Sequence, residues 1–152
     1  MDIAIDAMSR YAGVKRRQEI IAEINGVRII DDFAHHPTAI GLTLNALKGT
    51  TSGRLIAVLD IRSNTMKMGV HGDQLAASLA AADLVLLCES PDIQWDLAKM
   101  ASAATTLVEI KKDTQQMIDY LLHTARHGDQ IVIMSNGGFE NLHQRLIDAL
   151  QR

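Results

Sequence analysis

The most regular feature of the chain is a series of short, unbroken apolar runs, each followed by a polar loop and then by apolar residues at helical spacing. RLIAVLD (54–60), DLVLLCE (83–89) and QIVIMS (130–135) are apolar throughout their interiors, and TLVEI (106–110) is a shorter run of the same kind. A strand with one wet face would alternate with period two, so continuous runs predict strands buried on both faces of a parallel sheet. The helical signals fall between them. Pro37 suits a first helical position, and Ile40, Leu44 and Leu47 follow at the spacing of one buried stripe before Gly49. Leu75 and Leu79 mark a short second helix. Met117, Ile118, Leu121, Leu122 and Ala125 mark one face of a third, and Phe139, Leu142 and Leu146 the inward side of a closing one.

Upstream, RQEIIAEINGVRIIDDFA (17–34) reads as two β-rich runs joined at Asn25-Gly26, a strong hairpin signal. A hairpin followed by repeated β-α units predicts an α/β fold. The expected form is a Rossmann-like three-layer sandwich, with a mainly parallel sheet and one antiparallel strand from the N-terminal hairpin. Ligands in such sheets gather at the C-terminal ends of the strands. Four polar junctions are expected there, at 31–37, 61–72, 88–95 and 135–139. Residues 1–12 read as helical (Ile3, Ala7, Met8, Tyr11) but stand apart from this pattern. They are expected to be the remnant of an inter-domain helix or linker, with 13–152 forming one domain.

Composition narrows the function. The 152 residues carry 15 basic and 18 acidic side chains, a net charge of −3, and no Lys/Arg stripe interleaves with aromatics, which excludes a general nucleic-acid binder. No apolar run is long enough to span a bilayer, and MDIAIDAMSR has no basic region followed by an apolar core, so neither a membrane span nor a secretory signal is expected. The single cysteine, Cys88, cannot form an internal disulfide and is expected to be a small core residue. A cytoplasmic location fits best.

The densest chemistry lies in DDFAHHPTAI (31–40). Adjacent His35 and His36 would face opposite ways on a strand and could not readily share one metal, so no metal site is expected. No G-x-S-x-G nucleophile elbow exists to make a hydrolase of the Asp/His pair. Either this is a binding loop, or Asp31 or Asp32 caps the loop while His36 caps the helix beginning at Pro37. In RSNTMK (62–67), Arg62 and Lys67 flank Ser63, Asn64 and Thr65, a set that suits phosphate or carboxylate but also an ordinary solvated loop. Trp95 in CESPDIQW would cover an edge of the core. Ser135, Asn136 and Gly137 in SNGGF offer backbone N–H groups just before a helix N-terminus. His71, His123, His127 and His143 share no spacing and read as surface or core residues. The chain contains neither G-x-x-x-x-G-K-[ST] nor G-x-G-x-x-G, so if a nucleotide is used its phosphates are held elsewhere.

Taken together, GVKRRQEI, INGVRIIDDFAHHPTAI, LDIRSNTMKMG and SNGGF resemble the C-terminal domain of the Mur ligases, ATP-dependent ligases of peptidoglycan precursors, over residues 13–152. The G-x-x-x-R…D-D-[FY]-x-H-H-P-T pattern points to the branch that ligates onto UDP-N-acetylmuramate. The RSNTMK and SNGGF loops incline toward addition of the murein tripeptide L-Ala-γ-D-Glu-meso-diaminopimelate in peptidoglycan recycling. Addition of L-alanine, or a non-catalytic Rossmann-like ligand-binding module, stand as alternatives. The resemblance implies a three-domain enzyme whose N-terminal domain holds the UDP-sugar and whose central domain holds the ATP phosphates and Mg2+, with this chain as the third domain, inactive alone. It implies Arg17 as the arginine reaching the γ-phosphate and Asp32 as the aspartate on the ATP ribose, with His35 and His36 near the nucleotide. The family's diaminopimelate-adding members bind their amino acid near the loop that is ESPDIQW here, which lacks their D-N-P-R arginine. Arg62, Ser63, Asn64, Thr65 and Lys67, with Ser135, Asn136 and Gly137, are assigned on chemical grounds to the peptide carboxylates.

Overall fold

The computed structural model describes residues 15–69 and 72–152. The helix expected over 1–12 and His71 lie outside the described residues. The elements run β1 (Glu19–Ile24), β2 (Val27–Asp32), α1 (Pro37–Lys48), β3 (Leu55–Leu59), α2 (Asn64–Lys67), α3 (Gly72–Ser78), β4 (Leu84–Cys88), α4 (Leu97–Ala103), β5 (Leu107–Lys111), α5 (Thr114–Thr124), β6 (Gln130–Met134), a 3-10 turn (Phe139–Asn141) and α6 (Leu142–Leu150). The strands form one sheet in the order β1-β2-β6-β3-β4-β5. Among the described strands only the β1–β2 pair is antiparallel. The expected α/β sandwich is what the chain forms.

The hairpin turns where its sequence demands. Asn25 and Gly26 both take positive φ (53° and 76°), the two left-handed positions of a type I′ turn, and Ile24 pairs with Val27 across it. The sheet is buried on both faces because successive residues of its central strands feed different cores. Leu55, Ala57 and Leu59 of β3 join Ile40, Leu44, Leu75, Leu79 and Met100 on one face. Ile56 and Val58 join Met117, Leu121, Leu142 and Leu146 on the other. Every residue of β3 and β6 is buried, and truncating a side chain such as Leu86, fully buried in β4, would cost about 2–5 kcal/mol.

Three details depart from the sequence reading. Leu122 is 39% exposed: the inward stripe of α5 is Thr114, Met117, Ile118 and Leu121. The 61–72 loop contains the single turn α2, capped by Ser63, whose hydroxyl accepts from the Met66 amide. Helix α4 was not expected at all.

The topology places the site. The helices after β2, β3 and β4 (α1, α3 and α4) cover the first face, and those after β5 and β6 (α5 and α6) the second. Strand β6 therefore lies between two strands, β2 and β3, whose following helices go to the opposite face. Loops leaving adjacent strands in opposite directions open a crevice at the strands' C-terminal ends, the standard ligand position in open α/β sheets. Here it is bounded by 33–36, 60–67 and 135–138.

Candidate functional site

The DDF segment is organised by Asp32. Its side chain is buried, 3% exposed. Oδ1 accepts from the Ala34 amide at 2.8 Å and the Thr43 hydroxyl at 3.4 Å, and Oδ2 accepts from the Gln18 amide at 2.9 Å. Of the two aspartates offered as the loop cap, Asp32 makes the bonds. His36 is the N-cap residue of α1, in extended conformation, but its side chain makes no capping bond; Pro37, at the first helical position, has no N–H to satisfy. His35 contacts the Phe33 carbonyl through Nδ1 at 2.9 Å and meets the Phe33 ring edge-on.

Arg17, Gln18, Asp32, Phe33, Ala34, His35, Ala39, Leu42 and Thr43 line a cleft of about 440 Å³. Phe33 and Leu42 are large apolar side chains left 38% and 69% exposed beside it. Arg17 is exposed and has no ion-pair partner among the described residues. The cleft thus combines an available guanidinium with an apolar wall and one buried carboxylate. Arg17, Asp32 and His35 meet there; His36 is not among its lining residues.

The loop after β6 faces the loop after β3. Ser135 is fully buried: its hydroxyl donates to Asp60 Oδ2 at 2.9 Å and accepts from the Gly137 amide at 3.0 Å. The hydroxyl expected to face a peptide is turned inward and shapes the loop, and the Gly137 N–H, expected to be available, is the one that binds it. Asn136 differs: its Oδ1 is buried with no hydrogen-bond partner among the described residues, an unusual state for a polar atom. Arg62 is exposed and pairs with Asp60 at 3.0 Å. Asn64 is exposed in the first turn of α2, where Thr65 follows it. Lys67 pairs with Asp92 at 3.1 Å. Trp95 donates from Nε1 to the Met66 carbonyl at 2.7 Å, and the Gln94 amide to the Lys67 carbonyl at 2.9 Å, so the 61–68 and 92–95 segments are tied together. No three His, Cys, Asp or Glu side chains among the described residues form a metal-ligand set.

Sequence reasoning missed the residues that join these loops. Asp31 forms an ion pair with Arg16 (Nε to Oδ2, 3.4 Å) and pairs with His143 (Nε2 to Oδ1, 3.0 Å). Arg16 also donates to the Ser135 and Gly137 carbonyls at 2.6 and 3.1 Å. His143, read as an incidental histidine, sits on α6 as the last link. No local signal marks the links from Arg16 to Ser135 and Gly137 or from Asp31 to His143, partners more than a hundred positions apart.

Residues 16–137 match the family described as Mur ligase, glutamate ligase domain. The chain belongs to the Mur ligase family. It is 46% identical, over 98% of its length, to the Escherichia coli UDP-N-acetylmuramate–L-alanyl-γ-D-glutamyl-meso-2,6-diaminoheptandioate ligase, and spans 33% of that protein. A crystal structure of a murein peptide ligase from Psychrobacter arcticus superimposes with a TM-score of 0.81 at 44% identity, covering 97% of this chain and 32% of the other. An alanine-adding relative, the UDP-N-acetylmuramate–L-alanine ligase of Pelotomaculum thermopropionicum, is 28% identical over 95% of the chain and 33% of its own length. The chain therefore spans about a third of the length of the relatives it matches.

Proposed function

We propose that the chain is the C-terminal domain of an ATP-dependent ligase that joins L-Ala-γ-D-Glu-meso-diaminopimelate to UDP-N-acetylmuramate in cytoplasmic peptidoglycan recycling, working with N-terminal and central domains. Among the described residues no helix is long and apolar enough to cross a membrane. The observation that carries the reading is the 46% identity to the tripeptide-adding enzyme against 27–32% to alanine-adding ones, over nearly the same span of chain.

The residues of the cleft, and of the loops after β3 and β6, suit the parts this reaction requires. In the first step the muramoyl carboxylate oxygen attacks the ATP γ-phosphorus, and ADP leaves with the former bridging oxygen. Charge develops on the transferring phosphoryl group, where a guanidinium is well suited to stabilise it. Arg17, exposed beside the cleft, is the residue for that task. Phe33, Leu42 and Ala39 offer an apolar wall for the nucleotide base, and His35 a polar edge beside it. Asp32 faces the ribose with the acceptor capacity left by its three internal bonds, and His36 follows His35 at the start of α1. Mg2+, which shields the phosphates when bound, is left to the central domain.

In the second step the L-alanyl amine attacks the acyl carbon, forming the amide, and inorganic phosphate departs with its oxygen from the carboxylate. Before attack the ammonium must lose a proton, and the peptide must be held by its carboxylates. Arg62 and Lys67, backed by Ser63, Asn64 and Thr65, supply charge for those carboxylates. Asn136 supplies a side-chain acceptor not used within the loop, and Ser135 and Gly137 hold that loop in shape.

The test is made on the full-length enzyme with ATP, Mg2+ and UDP-N-acetylmuramate, offering tripeptide or L-alanine separately. Product is identified by mass and ADP release is timed. Tripeptide-dependent turnover with negligible turnover on L-alanine is expected; turnover on L-alanine alone would overturn the reading.

A further inference from the structure

Arg17 sits between two residues in the left-handed region, Arg16 at φ 57° and Gln18 at φ 50°. Non-glycine residues rarely adopt this conformation, and two of them so close together persist only where their surroundings hold them. Both are held. The Arg16 carbonyl accepts from the Phe33 amide at 2.7 Å, and the Arg16 amide donates to Glu19 Oε2 at 2.9 Å. The Gln18 amide donates to Asp32 Oδ2 at 2.9 Å. The backbone on either side of Arg17 is thus pinned to the DDF segment, and the Arg17 side chain projects from the bend between the two pins.

The Arg16 side chain reaches the other way. One guanidinium nitrogen, Nη2, donates to the carbonyls of Ser135 and Gly137, Nε faces Asp31, and Cζ lies 5.4 Å from the centre of the Phe33 ring. Ser135 in turn bonds Asp60, which pairs with Arg62. One residue therefore fastens the nucleotide-side cleft to the loop that faces the peptide-side cations. A planar guanidinium suits this task because Nη2 serves both carbonyls while Nε faces Asp31, a division that the single nitrogen of an ammonium ion cannot make.

We propose that Arg16 is a positioning residue: through its backbone it sets the direction of Arg17, and through its guanidinium it holds the 135–138 loop in register with the nucleotide cleft. The proposal rests on the reading of Arg17 above. It is distinct from it in that Arg16 touches no reacting group, and its whole effect passes through Arg17 and the loop.

A double-mutant cycle in the full-length ligase tests it, with kcat and the KM of each substrate measured for wild type, Arg16→Ala, Arg17→Ala and the double variant, and melting temperatures as the fold control. Misplacing a group by about 1 Å can cost about 100-fold in rate, so Arg16→Ala should lose about 10- to 100-fold in kcat. The KM for UDP-N-acetylmuramate should stay within about twofold, since uniform binding is untouched. In kcat the double variant should be no slower than the slower single variant, because effects passing through Arg17 do not add, while the part that passes through the loop should appear as a raised KM for the tripeptide. Arg16→Lys should recover part of the loss, and it replaces Arg16→Ala in the cycle if that variant does not fold. Multiplicative losses, or an Arg16 variant with wild-type kcat, overturn the proposal while leaving Arg17 in place. Wild-type kcat in Arg17→Ala overturns the Arg17 assignment, and the positioning of Arg17 falls with it.

Discussion

Arg62 lies across Gly137 so closely that a methyl group added at Gly137 would come within 2.9 Å of Arg62 Cδ and 3.0 Å of Nε. The glycine leaves room for a cation to cross the crevice, and the obstructed atoms belong to an exposed, flexible side chain. Gly137→Ala should therefore displace Arg62 with a stability change within about 0.5 kcal/mol. In the full-length enzyme it should raise the KM for the tripeptide several-fold. Steady-state kinetics beside a thermal melt check this; an unchanged KM would remove Arg62 from the peptide site.

Asp32 and Arg17 line the same cleft but should respond differently to substitution. Arg17 is exposed and makes no ion pair among the described residues, so Arg17→Ala should cut kcat by about 100-fold and leave the melting temperature within a degree or so. Asp32→Asn should destabilise by about 1–3 kcal/mol, because an amide set in place of Oδ2 turns a donor toward the Gln18 amide and a buried bond is lost. Parallel melts of the two variants decide it.

Acid should unfold the domain through two carboxylates far from the crevice. Burial by itself would raise the Asp129 carboxyl, but bonds from the Arg54 side chain and from the Arg126 and Arg54 amides outweigh it and hold its pKa below the ordinary value. Asp83 follows the same balance, with burial opposed by Lys48 and the Leu55 amide. A carboxyl with a depressed folded pKa binds fewer protons in the folded state. Its stabilisation is complete above the unfolded pKa of about 4 and is lost as pH falls through the folded value. Melting temperature should be level toward neutrality and fall below about pH 4. Asp129→Asn should lower the neutral-pH value and flatten the acid limb.

Cys88 should be a poor nucleophile. Burial first, then the nearby carboxylates of Asp60, Glu140, Asp113 and Glu89, push its thiol up to about 11. At pH 8 almost none is thiolate, and even allowing for the greater intrinsic reactivity of a basic thiolate, alkylation should be about tenfold slower than for a free cysteine. Timed labelling with and without denaturant measures the difference.

What the chain reveals before folding divides along physical lines. Local rules marked the hairpin, because Asn25-Gly26 names its own turn, and the buried strands, because both their faces are apolar. The same rules missed α4, whose inward stripe is only Leu97 and Met100 among alanines, a lysine and a serine. A cap signal was present: Asp96 accepts from the Lys99 amide, one helical turn ahead. The left-handed run Phe139, Glu140 and Asn141 contains no glycine to announce it; it is held by the burial of Phe139 and by the bond from Thr114 to Glu140. Arg17, Asp32 and His35 could be named from their motif. The inward turn of Ser135 and the Arg16–Asp31–His143 linkage could not, since each depends on partners brought together only by the sheet.

The place of β6 governs when all this can form. β2 and β3 do not pair with each other; each pairs with β6, which is made after every other strand described here. Until residue 134 has left the ribosome, the growing chain can hold a hairpin and a three-stranded fragment with nothing to zip them together. Strand pairing over such sequence distances is slow because the entropy of closing the intervening loop is lost first. The crevice is therefore a late product of synthesis: one insertion event closes the sheet and brings Ser135 and Gly137 to Arg16.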